Sequence, residues 1–81
     1  MSDAPADAVV GVLSEVLGEP PEVFDGPSRL GVHAGWDSMG MLRVVTMLES
    51  DLGIRLDLRR VHDARTVHDL VGLVEGSQAP G

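Results

Sequence analysis

Apolar residues recur at helical spacing near the start of this chain. They stand three and four positions apart at Val9, Val12, Leu13, Val16 and Leu17. That spacing is typical of an amphipathic helix, which we predict from about Ala6 to Leu17. Gly18 directly follows the last apolar pair and suits a helix end. Met1 to Pro5 is expected to be a frayed end.

The stretch from Ser38 to Leu52 predicts a second helix with two different sides. At about 100° per residue, the core side should comprise Met41, Val44, Val45, Leu48 and Leu52. The opposite side combines Met39, Leu42, Arg43 and Thr46. Met39 and Leu42 are apolar but have no place in the core, and both lie near Ser38. We therefore predict that this side of the helix binds partners. Gly40 costs a helix about 1 kcal/mol relative to alanine, which predicts a close approach to the backbone there.

The segment between these helices is rich in proline and glycine. Pro20, Pro21, Gly26, Pro27, Gly31 and Gly35 exclude a continuous helix. A structureless loop of this length is uncommon in a compact domain. We therefore expect an ordered loop with a short helical turn around Pro21 to Phe24. The apolar side chains available to hold it against the core are Val23, Phe24, Leu30 and Val32.

The last third of the chain predicts two more helices. Gly53 ends the second helix, and Ile54 to Leu58 alternates like a strand that has nothing to pair with. We expect an extended link that leads into a short helical turn near Leu58 to His62. Thr66 to Asp69 has the form of a capping box. It opens a final helix whose inward residues should be Val67, Leu70, Val71 and Val74.

Composition excludes several classes of function. Six basic against 13 acidic residues leave a net charge of −7, which argues against binding nucleic acid or an anionic membrane surface. There is no cysteine, and so neither a disulfide nor a cysteine-bound zinc. The beginning of the chain lacks the pattern of a signal peptide, and no apolar run is long enough to span a bilayer. We expect a cytoplasmic, monomeric protein with one domain over residues 1–81, ordered from about 6 to 75.

Asp37 and Ser38 stand where the second helix begins. A helix N-terminus has free N–H groups and a partial positive charge, so it favours a phosphate. A serine there can cap the helix when free and hold a phosphodiester when modified. Two interpretations stay open: Ser38 is modified and carries a cargo, or Asp37 and Ser38 only cap the helix in an unmodified helical interaction module.

These residues resemble the acyl carrier proteins over most of the chain, roughly from Ala6 to Glu75. The likeness rests on Asp37-Ser38-Met39, the helix after it, the spacing through Ile54, and the Asp63-Ala64-Arg65-Thr66-Val67 step with the last helix. It implies an all-α four-helix bundle of the acyl-carrier type, with a long first loop and a short third helix.

The resemblance also implies a cofactor and partners. Ser38 would carry a covalent 4′-phosphopantetheine, delivered from coenzyme A by a phosphopantetheinyl transferase. The thiol of that arm would hold an acyl or aminoacyl thioester. Further partners would be acyl-, aminoacyl- or ketosynthase-type enzymes. Asp37 would position the transferase or its metal, or would only cap the helix.

Three departures from the family pattern narrow the expected function. Met39 replaces the usual leucine, and Asp37 to Gly40 is similar to stand-alone aminoacyl carriers such as the D-alanyl carrier group. Arg43 stands where fatty-acid carriers usually have an acid. Trp36 and Asp37 stand where carriers embedded in peptide synthetases usually have glycines. We therefore expect a stand-alone carrier of a dedicated polyketide or peptide natural-product pathway, with its cargo open.

No residue pattern indicates catalysis or a metal site. The chain offers no carboxylate pair and no couple of nucleophile and base that suggests an active site. His62-Asp63 and His68-Asp69 place two histidines six positions apart, without an obvious third ligand. His33 lies in the first loop with no evident partner. We expect no intrinsic activity and no bound metal.

Overall fold

The computed structural model describes residues 4–78. This range contains four α-helices and no strand. They are α1 (Ala4–Leu17), α2 (Ser38–Leu52), α3 (Leu58–Asp63) and α4 (Val67–Gln78). The first loop contains two short 3₁₀ turns, Pro21–Val23 and Leu30–Val32. The predicted all-α bundle, with its long first loop and short third helix, is confirmed. None of these helices combines the length and apolarity needed to cross a membrane.

Glycines end two of the helices as the sequence predicts. Gly18 and Gly53 follow α1 and α2 in the left-handed conformation, with φ of 68° and 65°. The Gly53 N–H donates to the carbonyl of Glu49 at 2.9 Å, which satisfies a carbonyl of the last turn. The start of α1 differs from the prediction, since Ala4 and Pro5 are helical rather than frayed. Proline fits there because the first turn needs no N–H from it.

The core is almost wholly aliphatic. From α2 it receives Val44, Val45 and Leu48, and Leu52 packs against it half-buried. Met41 does not join it, contrary to the prediction, because this end of α2 is flanked by first-loop residues and α3. The other buried hydrophobic residues are Val9, Val12, Leu13, Phe24, Leu30, Val61, Ala64, Val67, Leu70 and Val74. The predicted inward face of α4 is therefore confirmed, with Val71 half-buried at its edge.

Each 3₁₀ turn of the first loop brings one apolar side chain into the core. Phe24 and Leu30 are buried, as predicted, whereas Val23 and Val32 are 39% and 74% exposed. The prediction for the two valines is wrong. At three residues per turn, neighbours one or two positions apart point in different directions, so Leu30 and Val32 cannot both face the core.

Backbone hydrogen bonds tie the first loop to the connection between α3 and α4. The Leu30 N–H donates to the Arg65 carbonyl at 2.9 Å, and the Val67 N–H donates to the Ser28 carbonyl at 3.0 Å. An isolated antiparallel bridge joins Arg29 to Thr66. These bonds hold two segments side by side although they are far apart in the chain.

The capping box at the start of α4 is confirmed. The Asp69 N–H donates to Oγ1 of Thr66 at 3.1 Å. In return, Oδ2 of Asp69 accepts the N–H groups of Arg65 and Thr66 at 3.1 and 3.2 Å. These backbone hydrogen bonds, first that from Arg65 and then that from Thr66, lower the pKa of Asp69, because they stabilise its ionised form.

Candidate functional site

Asp37 caps the N-terminus of α2. Its backbone is extended, and its Oδ1 accepts the N–H of Gly40 at 2.8 Å. Its carbonyl accepts the N–H of Met41 at 2.8 Å, which begins the helical hydrogen bonding. Asp37 is therefore the N-cap, and Ser38 is the first residue of the helix. This corrects the view in which Ser38 itself caps the helix.

The backbone of the turn that precedes Ser38 packs closely against the first turn of α2. The Asp37 N–H donates to the Gly35 carbonyl at 3.0 Å. A Cβ on the buried Gly40 would lie only 2.0 Å from that same carbonyl oxygen. The predicted close approach at Gly40 is confirmed, and the group that approaches is the chain's own backbone. Glycine is required because no side-chain carbon fits between the loop and α2.

Ser38 is exposed at the positive end of α2. Its Oγ makes no hydrogen bond with any residue in the range 4–78, and the N–H groups of Ser38 and Met39 donate to no acceptor there. A free hydroxyl and two free N–H groups thus occur together at one helix end. This arrangement suits a phosphodiester on the hydroxyl, because the N–H groups can bind its oxygens.

The other described serines offer a less suitable hydroxyl. The hydroxyls of Ser14 and Ser77 donate to backbone carbonyls at 2.5 and 3.0 Å. Ser28 donates to the Val23 carbonyl at 2.8 Å and also contacts Asp25. Ser50 is exposed and makes no such bond, but it lies near the C-terminus of α2. There the helix dipole disfavours a phosphate.

The four residues predicted to bind partners on α2 are all exposed. Met39 and Leu42 are 65% and 50% exposed, and Arg43 and Thr46 lie at the surface beside them. Leu42, Arg43 and Thr46 also line a groove between α2 and α1. Their exposure agrees with the prediction from helical periodicity, and their contact with a partner stays a prediction.

A second groove was not foreseen from the sequence. Trp36 packs half-buried against the core, but it also lines this groove beside Met41 of α2. The remaining residues around it are Arg29, Gly31, Val32, His62, Ala64 and Arg65. Local periodicity carries no signal for such a site, because its members come from the first loop, α2, α3 and the connection after α3.

The histidines have different surroundings. The His33 side chain is only 12% exposed: its ring centroid lies 5.0 Å from that of Phe24, and its Nδ1 lies 3.9 Å from Oε2 of Glu19. The expectation that His33 lacks a partner is wrong, because the first loop folds back over the end of α1. His62 lies 3.8 Å from Asp63 at the surface. No group of three or more histidine, aspartate or glutamate side chains within the described range could hold a metal ion.

Comparison with known families agrees with this geometry. The family model described as "Phosphopantetheine attachment site" matches residues 7–74. The chain belongs to this family. Its members carry 4′-phosphopantetheine covalently on a serine, and the resemblance to acyl carrier proteins is thereby confirmed. A search of curated proteins finds no match for this chain.

Membership in the phosphopantetheine-attachment family has general consequences. Its domains are carriers that in general lack catalytic activity of their own. They interact with a phosphopantetheinyl transferase and with catalytic enzymes. The start of α2 fits the prosthetic group of such a carrier, since it combines an exposed hydroxyl with free N–H groups.

Proposed function

We propose that Ser38 receives the 4′-phosphopantetheine arm, and that this chain carries an acyl or aminoacyl group on it as a thioester between enzymes. The observation that carries the proposal is the unbonded, exposed hydroxyl of Ser38 at the N-terminus of the 15-residue helix α2. A transferase needs access to that oxygen from solvent, and the hydroxyl has no internal hydrogen bond to give up.

Residues around Ser38 support the attachment in different ways. When bound, the arm supplies a thiol on a flexible tether, which this cysteine-free chain lacks. The N–H groups of Ser38 and Met39 would bind phosphate oxygens. Asp37 holds the first turn of α2 through its bond to Gly40. Its Oδ2 has no partner in the described part of the chain, which leaves that oxygen for the transferase or its metal.

We propose that the carrier serves a dedicated pathway for a polyketide or peptide natural product. Arg43 is the only charged residue from Ser38 to Leu48, whereas carriers of primary fatty-acid synthesis usually have an acid at its position. Its partners would be acyl-, aminoacyl- or ketosynthase-type enzymes, which bind the face formed by Met39, Leu42, Arg43 and Thr46. The proposal retains a monomeric and cytoplasmic carrier, as the sequence predicts.

Intact-mass spectrometry tests the attachment. The purified chain is incubated with coenzyme A, magnesium and a broad-specificity phosphopantetheinyl transferase. We expect the wild type to gain the mass of one 4′-phosphopantetheinyl group. Ser38→Ala should gain nothing, because the acceptor oxygen is gone. Ser50→Ala is the matched control, since it removes the other unbonded serine hydroxyl of α2 and should be modified like the wild type.

Two results would contradict the proposal. One is a wild type that stays unmodified in a reaction where a known carrier is modified. That result would favour an unmodified interaction module in which Asp37 only caps the helix. The other is a Ser38→Ala variant that gains the arm as fully as the wild type, which would place the attachment on another residue.

A further inference from the structure

The groove beside the start of α2 is lined by both apolar and basic residues. Val32, Trp36, Met41 and Ala64 supply the apolar surface, and Val32 is 74% exposed. Arg29, Arg65 and His62 lie around it. Met41 is one helical turn after Ser38, on the neighbouring part of the same helix face. A protein that reaches the Ser38 hydroxyl from this side therefore also meets the groove.

The arginines of the groove are free to bind a partner. Within residues 4–78, no arginine side chain forms an ion pair within 4.0 Å or a hydrogen bond. The nearest acid along the chain on the α4 side, Asp69, already accepts two backbone N–H groups from the Arg65-Thr66 step. Asp63 lies beside His62 and faces a different pocket. Arg29 and Arg65 thus have no ion-pair partner within this part of the chain.

This basic patch contrasts with the charge of the whole chain. The protein carries −7 overall, so an acidic surface is repelled from most of it. Charges further apart than about 8 Å are largely screened at physiological ionic strength. The sign of the nearby charges therefore decides whether an acidic surface is attracted or repelled at a given place. An acidic segment would be attracted at the groove and disfavoured at the acidic parts of the surface, which favours one orientation of docking.

We propose that this groove, formed by Arg29, Val32, Trp36, Met41, His62, Ala64 and Arg65, binds an acidic segment of an enzyme that acts on the carrier. In that segment, carboxylates flank an aliphatic side chain. The carboxylates pair with Arg29 and Arg65, and the aliphatic side chain lies against Trp36 and Met41. The identity of the partner as such an enzyme rests on the proposed function, while the binding of the acidic segment rests on the groove alone.

The test uses Trp36, the only tryptophan in the chain, as a fluorescent reporter. The unmodified protein is titrated with a synthetic peptide of alternating glutamate and leucine, and with glutamine and lysine versions of the same peptide. We expect the glutamate peptide to change Trp36 emission and to bind several times more tightly than the glutamine peptide. Its affinity should fall as salt is added, because surface ion pairs are screened.

Charge reversal identifies the site. Arg29→Glu with Arg65→Glu should weaken binding of the glutamate peptide by roughly tenfold, as attraction becomes repulsion at two positions. The matched control is Arg55→Glu with Arg60→Glu, which makes the same change in net charge at a groove beside α4 and should weaken binding about twofold or less. If the variant with Arg29→Glu and Arg65→Glu unfolds, as judged by circular dichroism, the variant with Arg29→Gln and Arg65→Gln replaces it. That variant removes the charge with less perturbation and should still weaken binding.

Three outcomes would overturn the proposal. They are equal binding of the glutamate and glutamine peptides, tighter binding of the lysine peptide, and an equal loss in both double variants. Because the titration uses the unmodified chain, none of these results depends on the arm. Failure of the Ser38 modification is read separately from the intact mass, so the two proposals can fail independently.

Discussion

Replacing Gly40 with alanine tests whether the backbone contact before Ser38 is as tight as the structure shows. Helix propensity alone favours alanine by about 1 kcal/mol. The new Cβ, however, would lie 2.0 Å from the Gly35 carbonyl oxygen, where 3.4 Å begins ordinary contact. The carbonyl must withdraw by more than an ångström. Because it is part of the backbone, the segment from Gly35 to Asp37 must move with it.

The expected cost follows from what this movement disrupts. Overpacking of a well-packed site costs about 1–3 kcal/mol. The Asp37 N–H bond to Gly35 and the Asp37 cap on Gly40 are at risk as well, each worth about 1 kcal/mol. The loss of one of these bonds offsets the gain in propensity, and we therefore expect Gly40→Ala to lower the free energy of unfolding by about 1–3 kcal/mol. A chain of this length has roughly 4–12 kcal/mol in total.

Urea denaturation followed by far-UV circular dichroism measures the change. Gly72→Ala in α4 and Gly11→Ala in α1 are matched controls, since both are helical glycines with nothing within 4 Å of an added Cβ. They should raise stability by about 0.5–1 kcal/mol, or the melting temperature by about 4–8 °C per kcal/mol. If Gly40→Ala is stabilised as much as Gly72→Ala, the contact between Gly35 and Gly40 is not tight and the reasoning is refuted.

Two further substitutions test the α2 face and the capping box. Leu42→Glu should leave the free energy of unfolding within about 0.5 kcal/mol, because the side chain is half exposed, yet lower kcat/KM of the phosphopantetheinyl transferase. Val23→Glu, at an exposed apolar site in the first loop, should change neither the free energy of unfolding nor kcat/KM. If Leu42→Glu loses its helical circular dichroism signal along with its transferase activity, Leu42 belongs to the core. Because hydrogen bonds from Arg65 and Thr66 depress the folded-state pKa of Asp69, its ionised form stabilises the fold above the unfolded-state pKa, and this contribution is lost as pH falls through the folded-state pKa. Unfolding free energies measured from about pH 6 to about pH 3 should therefore fall more steeply for the wild type than for Asp69→Asn, and parallel curves would contradict this.

Several features of the fold follow from short stretches of sequence. The bounds of α2 agree with the predicted Ser38 to Leu52, because its apolar period, the preceding Asp37 and the following Gly53 all act within one or two turns. The capping box from Thr66 to Asp69 is likewise a contact three residues apart. The Asp37-Ser38 motif is also local, and so Ser38 could be proposed as the attachment site before any tertiary contact was known.

The first loop shows where local pattern stops being informative. Four apolar residues were available to hold it, yet Phe24 and Leu30 are buried while Val23 and Val32 are exposed. Hydropathy does not separate the two pairs. The choice depends on the direction of each side chain in a 3₁₀ turn and on how the loop lies against the bundle.

The sequence by itself determined the helices, their caps and a serine at a helix N-terminus, because these depend on residues at most a few positions apart. Only the tertiary structure decided what surrounds that serine. It showed that the Gly35 carbonyl requires glycine at position 40, and it placed Arg29 and Arg65 around one groove beside Trp36. Gly35 reaches Gly40 through the turn before α2, and both α2 and α3 lie between Arg29 and Arg65 in the chain. Their meeting is set by packing of the whole chain, for which helical periodicity carries no information.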